Sequence, residues 1–259
     1  MASVVLETNN KPCLIEVLVR SEIPCTLRMI GKDKNLENAI YFNRGYGVPN
    51  NKFAGTKTFT FPLPLTPKRL LLNAFASENG AQIEIVDVKF KKLNQDQLWL
   101  RPHDKNFLDF ALKFALKSSY ITTGVYEEDF ETLENGVSTK GQFHIIYSPI
   151  IKNAKGEVET TPARISRRTG IIEISRAKFL PYSIPMRLII LLHEYMHWRL
   201  DTRVELEADF NALNIFLKLG FSKTEALYAY TKIFVDEPDR LGDRVEKLYQ
   251  FIESFPDLN

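Results

Sequence analysis

The chain has 259 residues, 44% of them apolar, so it is long enough to bury a sizeable hydrophobic core. Its 12 glycines and 13 prolines are too few for a fibrous or low-complexity protein. The 34 basic and 32 acidic residues nearly cancel, which argues against a nucleic-acid-binding protein driven by phosphate neutralisation.

The charge balance changes along the chain and predicts two domains. Residues 1–92 carry 13 basic and 8 acidic side chains, a net charge of +5, whereas the remainder carries 21 and 24, a net charge of −3. We predict an α+β protein, with an antiparallel β-sandwich over residues 1–92 and a domain with a small sheet and several helices over residues 93–259.

The first domain contains short apolar or β-branched runs separated by turn residues, a pattern typical of strands. These runs are residues 14–20, 26–30, 56–61, 70–76 and 82–90. The parity of the apolar positions changes near Val86, which predicts a β-bulge. We expect this domain to serve attachment, with small-ligand binding, for example of a sugar, as the alternative.

The two cysteines belong to this first domain. We predict that residues 14–20 and 25–30 form a hairpin turning near Ser21–Pro24, which would keep Cys13 away from Cys25. A disulfide is therefore not expected, and a reducing compartment is the default.

The second domain begins with a helix over residues 107–115, followed by an acidic stretch at residues 127–134 that we interpret as a solvated loop. Residues 163–166 and 171–175 predict a hairpin, and helices dominate from Ser183 onward.

Neither the start of the chain nor its most apolar run indicates a membrane protein. The start of the chain has no basic stretch followed by an apolar run, so no signal peptide is expected. The apolar run at residues 188–192 is far shorter than the roughly 20 residues of a membrane span. We therefore expect a cytoplasmic or virion-associated protein.

The chemically informative segment is His193-Glu194-x-x-His197. Residues four apart lie on one helix face, so both imidazoles can reach one ion, and the intervening glutamate can take a proton from bound water. The preceding residues 186–192 are apolar helix formers, which indicates a buried helix. The alternative is two core histidines without a metal.

A catalytic zinc site usually has a third protein ligand, and no further His or Cys follows closely. Glu205 and Asp209 lie four residues apart on one helix face. A helix hairpin turning near residues 200–203 would bring Glu205 opposite the histidines and let Asp209 accept the free N–H of one of them. Alternatively, Thr202 and Glu205 form a capping box, which leaves Glu207 as the replacement ligand.

His193-Glu-x-x-His197 followed by Glu205-x-x-Ala208-Asp209 resembles the gluzincin zinc metallopeptidases. Within this group, the motifs are most similar to those of the branch that contains the CAAX-type proteases. The resemblance implies a small soluble or phage-type relative of that branch. The resemblance covers about residues 163–252 and implies Zn²⁺ bound by His193, His197 and Glu205.

Two further features follow from this resemblance. Arg244-Val-Glu-Lys-Leu248 is similar to a later Arg-x-x-x-Leu helix of that branch. Such enzymes also have an edge strand that lines the cleft and pairs with extended substrate, and Ile171–Ser175 is the candidate, with an ordinary strand of the sheet as the alternative.

The expected activity is hydrolysis of a peptide or protein substrate by a metal-activated water with Glu194 as general base, as an endopeptidase rather than an exopeptidase. The oxyanion also needs a donor. The candidates are Tyr228, Tyr230, Arg240, Arg244, His144 and His103, with Arg244 and Tyr228 preferred.

Two hypotheses compete with this activity. In the first, the chain is a structural component of a large assembly, such as a phage virion or tail, and residues 1–92 attach it. Its metallopeptidase-like domain is then vestigial or latent. In the second, the chain is a zinc-stabilised binding protein without turnover. The intact Glu194 favours activity. The metal does not need this residue as a ligand, so a site that only binds metal tends to lose it.

Overall fold

A computed structural model describes residues 1–47, 52–78, 80–93, 100–134, 136–233 and 241–256. Over these residues the protein is mixed α/β, with several antiparallel strand pairings and six helices, in agreement with the α+β class. The chain divides into two compact units, the first holding seven strands and the second holding the later strands and all six helices.

The first unit consists of two sheets with only antiparallel pairings. Its strands are β1 (Ala2–Glu7), β2 (Cys13–Cys25), β3 (Leu27–Asp33), β4 (Ile40–Tyr46), β5 (Phe53–Leu63), β6 (Arg69–Ala76) and β7 (Ile83–Lys91). One sheet has the order β1-β6-β3-β4 and the other β5-β2-β7. Aromatic side chains connect the sheets, since Phe42 of β4 stacks on Phe61 of β5 at 4.3 Å between ring centroids.

The predicted hairpin between residues 14–20 and 25–30 is wrong. β2 and β3 belong to different sheets, and Ser21–Pro24 lies inside β2, where the register against β5 shifts instead of turning. Each of the two strands thereby pairs its backbone with two neighbours, β2 with β5 and β7, and β3 with β4 and β6. Cys13 and Cys25 are buried free thiols at opposite ends of β2.

The predicted bulge near Val86 is confirmed. Leu18 of β2 pairs with Asp87, whereas the next residue, Val19, pairs with Ile85, so Val86 is the extra residue of β7. The bulge explains the change in apolar parity, because an inserted residue moves every later side chain to the other face.

The second unit contains one four-stranded sheet and the helices. Its elements are α1 (Pro102–Lys117), β8 (Gly124–Glu134), β9 (Val137–Ser148), β10 (Ala163–Ile165), β11 (Ile172–Ser175), α2 (Arg176–Phe179), α3 (Ile184–Arg199), α4 (Glu205–Lys218), α5 (Lys223–Lys232) and α6 (Leu241–Ser254). The sheet order is β10-β11-β9-β8, in which only the β11–β9 pairing is parallel. Within the described residues, no helix combines the length and apolar character needed to cross a membrane.

The solvated loop predicted for residues 127–134 is wrong, because β8 pairs with β9 along its whole length. A strand with one solvated face tolerates acidic side chains. Glu128 forms an ion pair with Lys113, and Glu131 forms one with Lys140.

The predicted hairpin of residues 163–166 and 171–175 is confirmed, because β10 and β11 pair antiparallel. The expectation that Ile171–Ser175 is an edge strand is wrong. β11 lies between β10 and β9, which pair with its backbone on both sides, and its side chains Ile172 and Ile174 are buried. The edge strand next to the metal-motif helix is β10.

Helix α3 forms the centre of the second unit. Every residue from Ile184 to His193 is buried, and α1, α4, α5 and β10 all pack against the helix. A helix that is apolar around its circumference is expected to be surrounded on all sides. Ser183 is its N-cap residue, and Pro185 stands in the first turn, where its missing N–H is tolerated. The motif at the end of α3 is therefore held on a rigid element.

Candidate metal centre

His193 and His197 lie one turn apart on α3 and point their Nε2 atoms at each other. The Nε2–Nε2 distance is 3.1 Å, and the two residues are only 3% and 8% exposed. The spacing of four residues produces this pairing, because such positions share one helix face. Two imidazole nitrogens on buried side chains therefore meet at one point beside α3.

The third group reaches the histidines because the chain reverses after α3. Asp201 adopts φ +48°, a left-handed conformation that ends the helix, and α4 begins at Glu205. His197 faces Glu205 and His193 faces Asp209, so α3 and α4 run antiparallel. Each oxygen of Glu205 lies 3.4 Å from one histidine Nε2.

The remaining ring nitrogens have acceptors. His193 Nδ1 lies 2.9 Å from Oδ1 of the fully buried Asp209, and His197 Nδ1 lies 3.0 Å from the backbone carbonyl of Thr202. A proton on each Nδ1 satisfies both contacts and leaves the Nε2 lone pairs directed at the shared site. The contact of Asp209 agrees with the sequence expectation, whereas Thr202 was missed because a backbone carbonyl has no sequence signal.

The capping-box alternative for Glu205 is wrong. The hydroxyl of Thr202 donates to Glu207 at 2.6 Å and accepts from the Val204 N–H at 3.0 Å. Val204, not Thr202, is the N-cap residue of α4. Glu207 is therefore engaged in holding the turn, and the Glu205 carboxylate is available to the histidines.

Arg244 of α6 forms hydrogen bonds with both acidic residues that contact the histidines. Its Nε donates to Asp209 Oδ2 at 2.7 Å, and its Nη2 donates to Asp209 Oδ1 at 3.0 Å and to Glu205 Oε2 at 3.3 Å. Arg–carboxylate pairs with two parallel bonds have a well-defined geometry. The guanidinium thus orients two acidic residues that contact the histidines.

The electrostatic consequences are large. Burial by itself lowers the pKa of His193, but hydrogen bonds to Asp209 and Glu205 raise that pKa to about 9. Burial raises the pKa of Glu205, but both histidines outweigh it and hold that pKa well below its usual range. The site therefore strongly favours a bound positive charge, either a proton or a metal ion.

The donor set fits a divalent cation. Around a tetrahedral ion with bonds of about 2.0–2.1 Å, neighbouring ligand atoms lie about 3.3–3.4 Å apart. The two Nε2 atoms lie 3.1 Å apart, and each lies 3.4 Å from a different oxygen of Glu205. These three residues form the cluster among the described His, Cys, Asp and Glu residues that could hold a metal ion, with ligand atoms within 4.8 Å of one another.

Glu194 lies beside this cluster without belonging to it. Its carboxylate accepts a hydrogen bond from the backbone N–H of Ile165 in the edge strand β10. Burial raises the pKa of Glu194, and the nearby histidines oppose that rise. A carboxyl group with a raised pKa, fixed next to a metal site, is suited to accept and return a proton.

The candidates for an oxyanion donor have different surroundings. Arg244 bonds to the two carboxylates, and the Tyr230 hydroxyl donates to the Asp209 carbonyl at 3.4 Å. Tyr228 is 52% exposed on α5. The other candidates are His103, which contacts the Tyr195 hydroxyl, His144, which pairs with Glu127, and Arg240, which lies outside the described residues.

Sequence reasoning also missed a polar network on another side of α3. The Tyr195 hydroxyl donates to Asp104 Oδ1 at 2.6 Å, and Arg199 Nε donates to the same oxygen at 2.8 Å. Asp104 lies in the first turn of α1. This network fixes the metal-motif helix against α1.

Comparison with known proteins gives no relative from which a role could be transferred. No protein-family model matches the chain, and no curated protein or solved structure matches it. The functional argument therefore depends on the chemistry of the site.

Proposed function

We propose that the second unit is a zinc-dependent peptidase of the gluzincin type, with zinc ligands His193, His197 and Glu205. The observation that carries this proposal is the meeting of three lone-pair donors beside a separate carboxylate, Glu194. A structural zinc site usually has four protein ligands and no open position. Three protein ligands with an adjacent base are instead typical of a hydrolytic site.

The chain's own residues then have defined roles. Zinc, when bound, supplies Lewis acidity and lowers the pKa of a coordinated water to about 7. Glu194, held by the Ile165 N–H, accepts the proton of the attacking water and delivers it to the leaving amine. Asp209 and the Thr202 carbonyl fix the histidine tautomers, and Arg244 positions Asp209 and Glu205.

The edge strand β10 supports an extended peptide as the substrate. Next to β10, the Ser166 N–H donates to the Ile171 carbonyl, and the Pro162 carbonyl accepts from the Ser175 N–H. Because backbone groups alternate in direction along a strand, those of Ala163 and Ile165 face the side away from β11. The Ala163 carbonyl accepts from the Thr161 hydroxyl at 2.6 Å. The carbonyl of Ile165, next to Glu194, then serves to pair with a substrate N–H.

The first unit is proposed as a β-sandwich that attaches the peptidase to a partner. Its two antiparallel sheets and the stacking of Phe42 on Phe61 support that architecture.

The test combines metal analysis with cleavage of fluorogenic random peptide pools. Glu194→Gln keeps the size of the side chain but removes the base, and Glu246→Gln, at an exposed position of α6, is the matched control. We expect about one zinc per chain in all three proteins and a loss of cleavage of at least about 10²-fold only in Glu194→Gln. Retained cleavage in that variant would contradict the base assignment. Bound zinc without cleavage of any pool would favour a structural component.

A further inference from the structure

We infer that the peptides bound at this site carry an acidic side chain close to the bond that is cut, and that Arg167 and Arg168 bind it. This inference rests on the proposed peptidase function, for which it specifies the substrate class. Its basis is a pair of arginines in the turn that follows the edge strand β10.

The turn lies next to the reacting groups. Arg167 follows Ile165, whose N–H contacts the Glu194 carboxylate, by two residues. Two residues span at most about 7 Å along the chain, and an arginine side chain reaches about as far again. The Arg167 guanidinium therefore lies at most about 14 Å from the Ile165 backbone, and that of Arg168, one residue further along, at most about 17 Å.

A close contact holds the turn in this position. Gly170 closes it with φ +73°, and a Cβ at that position would lie 3.0 Å from the ring of Trp198. Trp198 directly follows the ligand His197 on α3. The indole thus packs directly on the turn backbone, which fixes the turn beside the metal-motif helix.

The arginines of this turn differ from three arginines of neighbouring elements, which are paired with carboxylates. Arg164 forms ion pairs with Glu159 and Glu173, Arg199 pairs with Asp104, and Arg244 pairs with Asp209 and Glu205. Across the described parts of the chain, neither Arg167 nor Arg168 has an ion pair or a side-chain hydrogen bond. Arg168 is exposed and Arg167 is partly buried.

The acidic residues of the site leave this positive charge uncompensated. Glu205 and Asp209 are engaged by the histidines and by Arg244. A guanidinium offers planar, paired donors that match a carboxylate. The group that complements the turn is therefore an Asp or Glu side chain of a peptide lying along β10.

Binding, rather than cleavage, tests this inference. Glu194→Gln protein, prepared with zinc, is titrated into fluorescent peptide pools that have Glu, Gln or Lys fixed at the central position and random residues elsewhere. We expect the Glu pool to bind about five- to tenfold more tightly than the Gln pool, and the preference to shrink in high salt. Adding Arg167→Gln and Arg168→Gln should abolish the preference, whereas Arg101→Gln, at an exposed arginine elsewhere, should preserve it.

Equal affinity for the Glu and Gln pools, binding of no pool, or a preference that survives the double substitution would each overturn the inference. Cleavage by the unaltered protein is measured separately on the same pools. Cleavage without a preference for acidic peptides would overturn the role of the arginines and leave the proposed peptidase intact. A preference in binding without any cleavage would overturn the peptidase and retain the acidic-peptide site.

Discussion

The two units bury different kinds of side chain. In the first unit, the buried polar residues among those described bear only hydroxyl groups, such as Thr8 and Ser21. The second unit buries Arg187 and Asp209 completely and His193 almost completely. Buried charged groups destabilise a fold unless they are paired, so their concentration in one unit indicates where the chemistry lies.

The aromatic core of the first unit and the polar centre of the second also differ in how they can be altered. An apolar core tolerates exchanges that keep its volume, whereas a hydrogen-bonded network fails when one partner is removed. The following variants test that contrast, from the largest expected effect to the smallest.

The largest effect should be loss of metal. His193→Ala removes one of the three ligands, and we expect zinc to fall from about one per chain to near zero, at least a 10³-fold loss of affinity. His144→Ala is the matched control, because His144 pairs with Glu127 on the sheet. Elemental analysis after dialysis measures both. Equal zinc content in the two variants would remove the basis for the metal centre.

The buried guanidinium of Arg187 should be the next most sensitive group. It donates to the Ser119 hydroxyl at 2.8 Å and to the carbonyls of Leu180 and Tyr182 at 2.6 and 2.9 Å. Arg187→Met leaves these groups unsatisfied, and we expect a decrease of about 3 kcal/mol in the free energy of unfolding.

Phe61→Leu, in the aromatic core of the first unit, serves for comparison and should decrease that free energy by about 1–2 kcal/mol. Urea denaturation followed by circular dichroism measures both variants. An Arg187→Met effect no larger than that of Phe61→Leu would contradict the contrast between the two cores.

The metal-free protein should show a pH dependence that originates at His193. Hydrogen bonds raise its pKa to about 9 from 6.5. A raised histidine pKa contributes stability that is fully present below pH 6.5 and is lost as pH rises through about 9. We expect the chelated protein to lose on the order of 2 kcal/mol over this range. Thermal unfolding of chelated and zinc-loaded protein measures it, and the loaded protein should not show the trend.

The smallest effect concerns the turn that carries Arg167 and Arg168. Gly170→Ala combines a positive φ with a Cβ only 3.0 Å from Trp198, whereas Gly156→Ala combines a similar φ of +83° with open space. We expect the first to decrease stability by about 1 kcal/mol more than the second. Peptide binding should weaken only in Gly170→Ala. Equal behaviour would show that the packing on Trp198 does not position the turn.

The sequence by itself determined features with a local cause. The spacing of His193 and His197 follows from the 3.6-residue helical repeat, and the bulge at Val86 follows from the two-residue repeat of a strand. The meeting of Glu205 and Asp209 with these histidines was also predictable, because a short connection forces consecutive helices to lie side by side.

The tertiary structure decided the partners that are distant in sequence. It separated β2 from β3, put β10 rather than β11 at the sheet edge, and bonded the Ile165 N–H to Glu194. It also brought Arg244 onto Asp209 across 35 residues. Such pairings depend on which surfaces are buried together, and repeats within a short segment contain no information about a partner that the chain reaches only after folding.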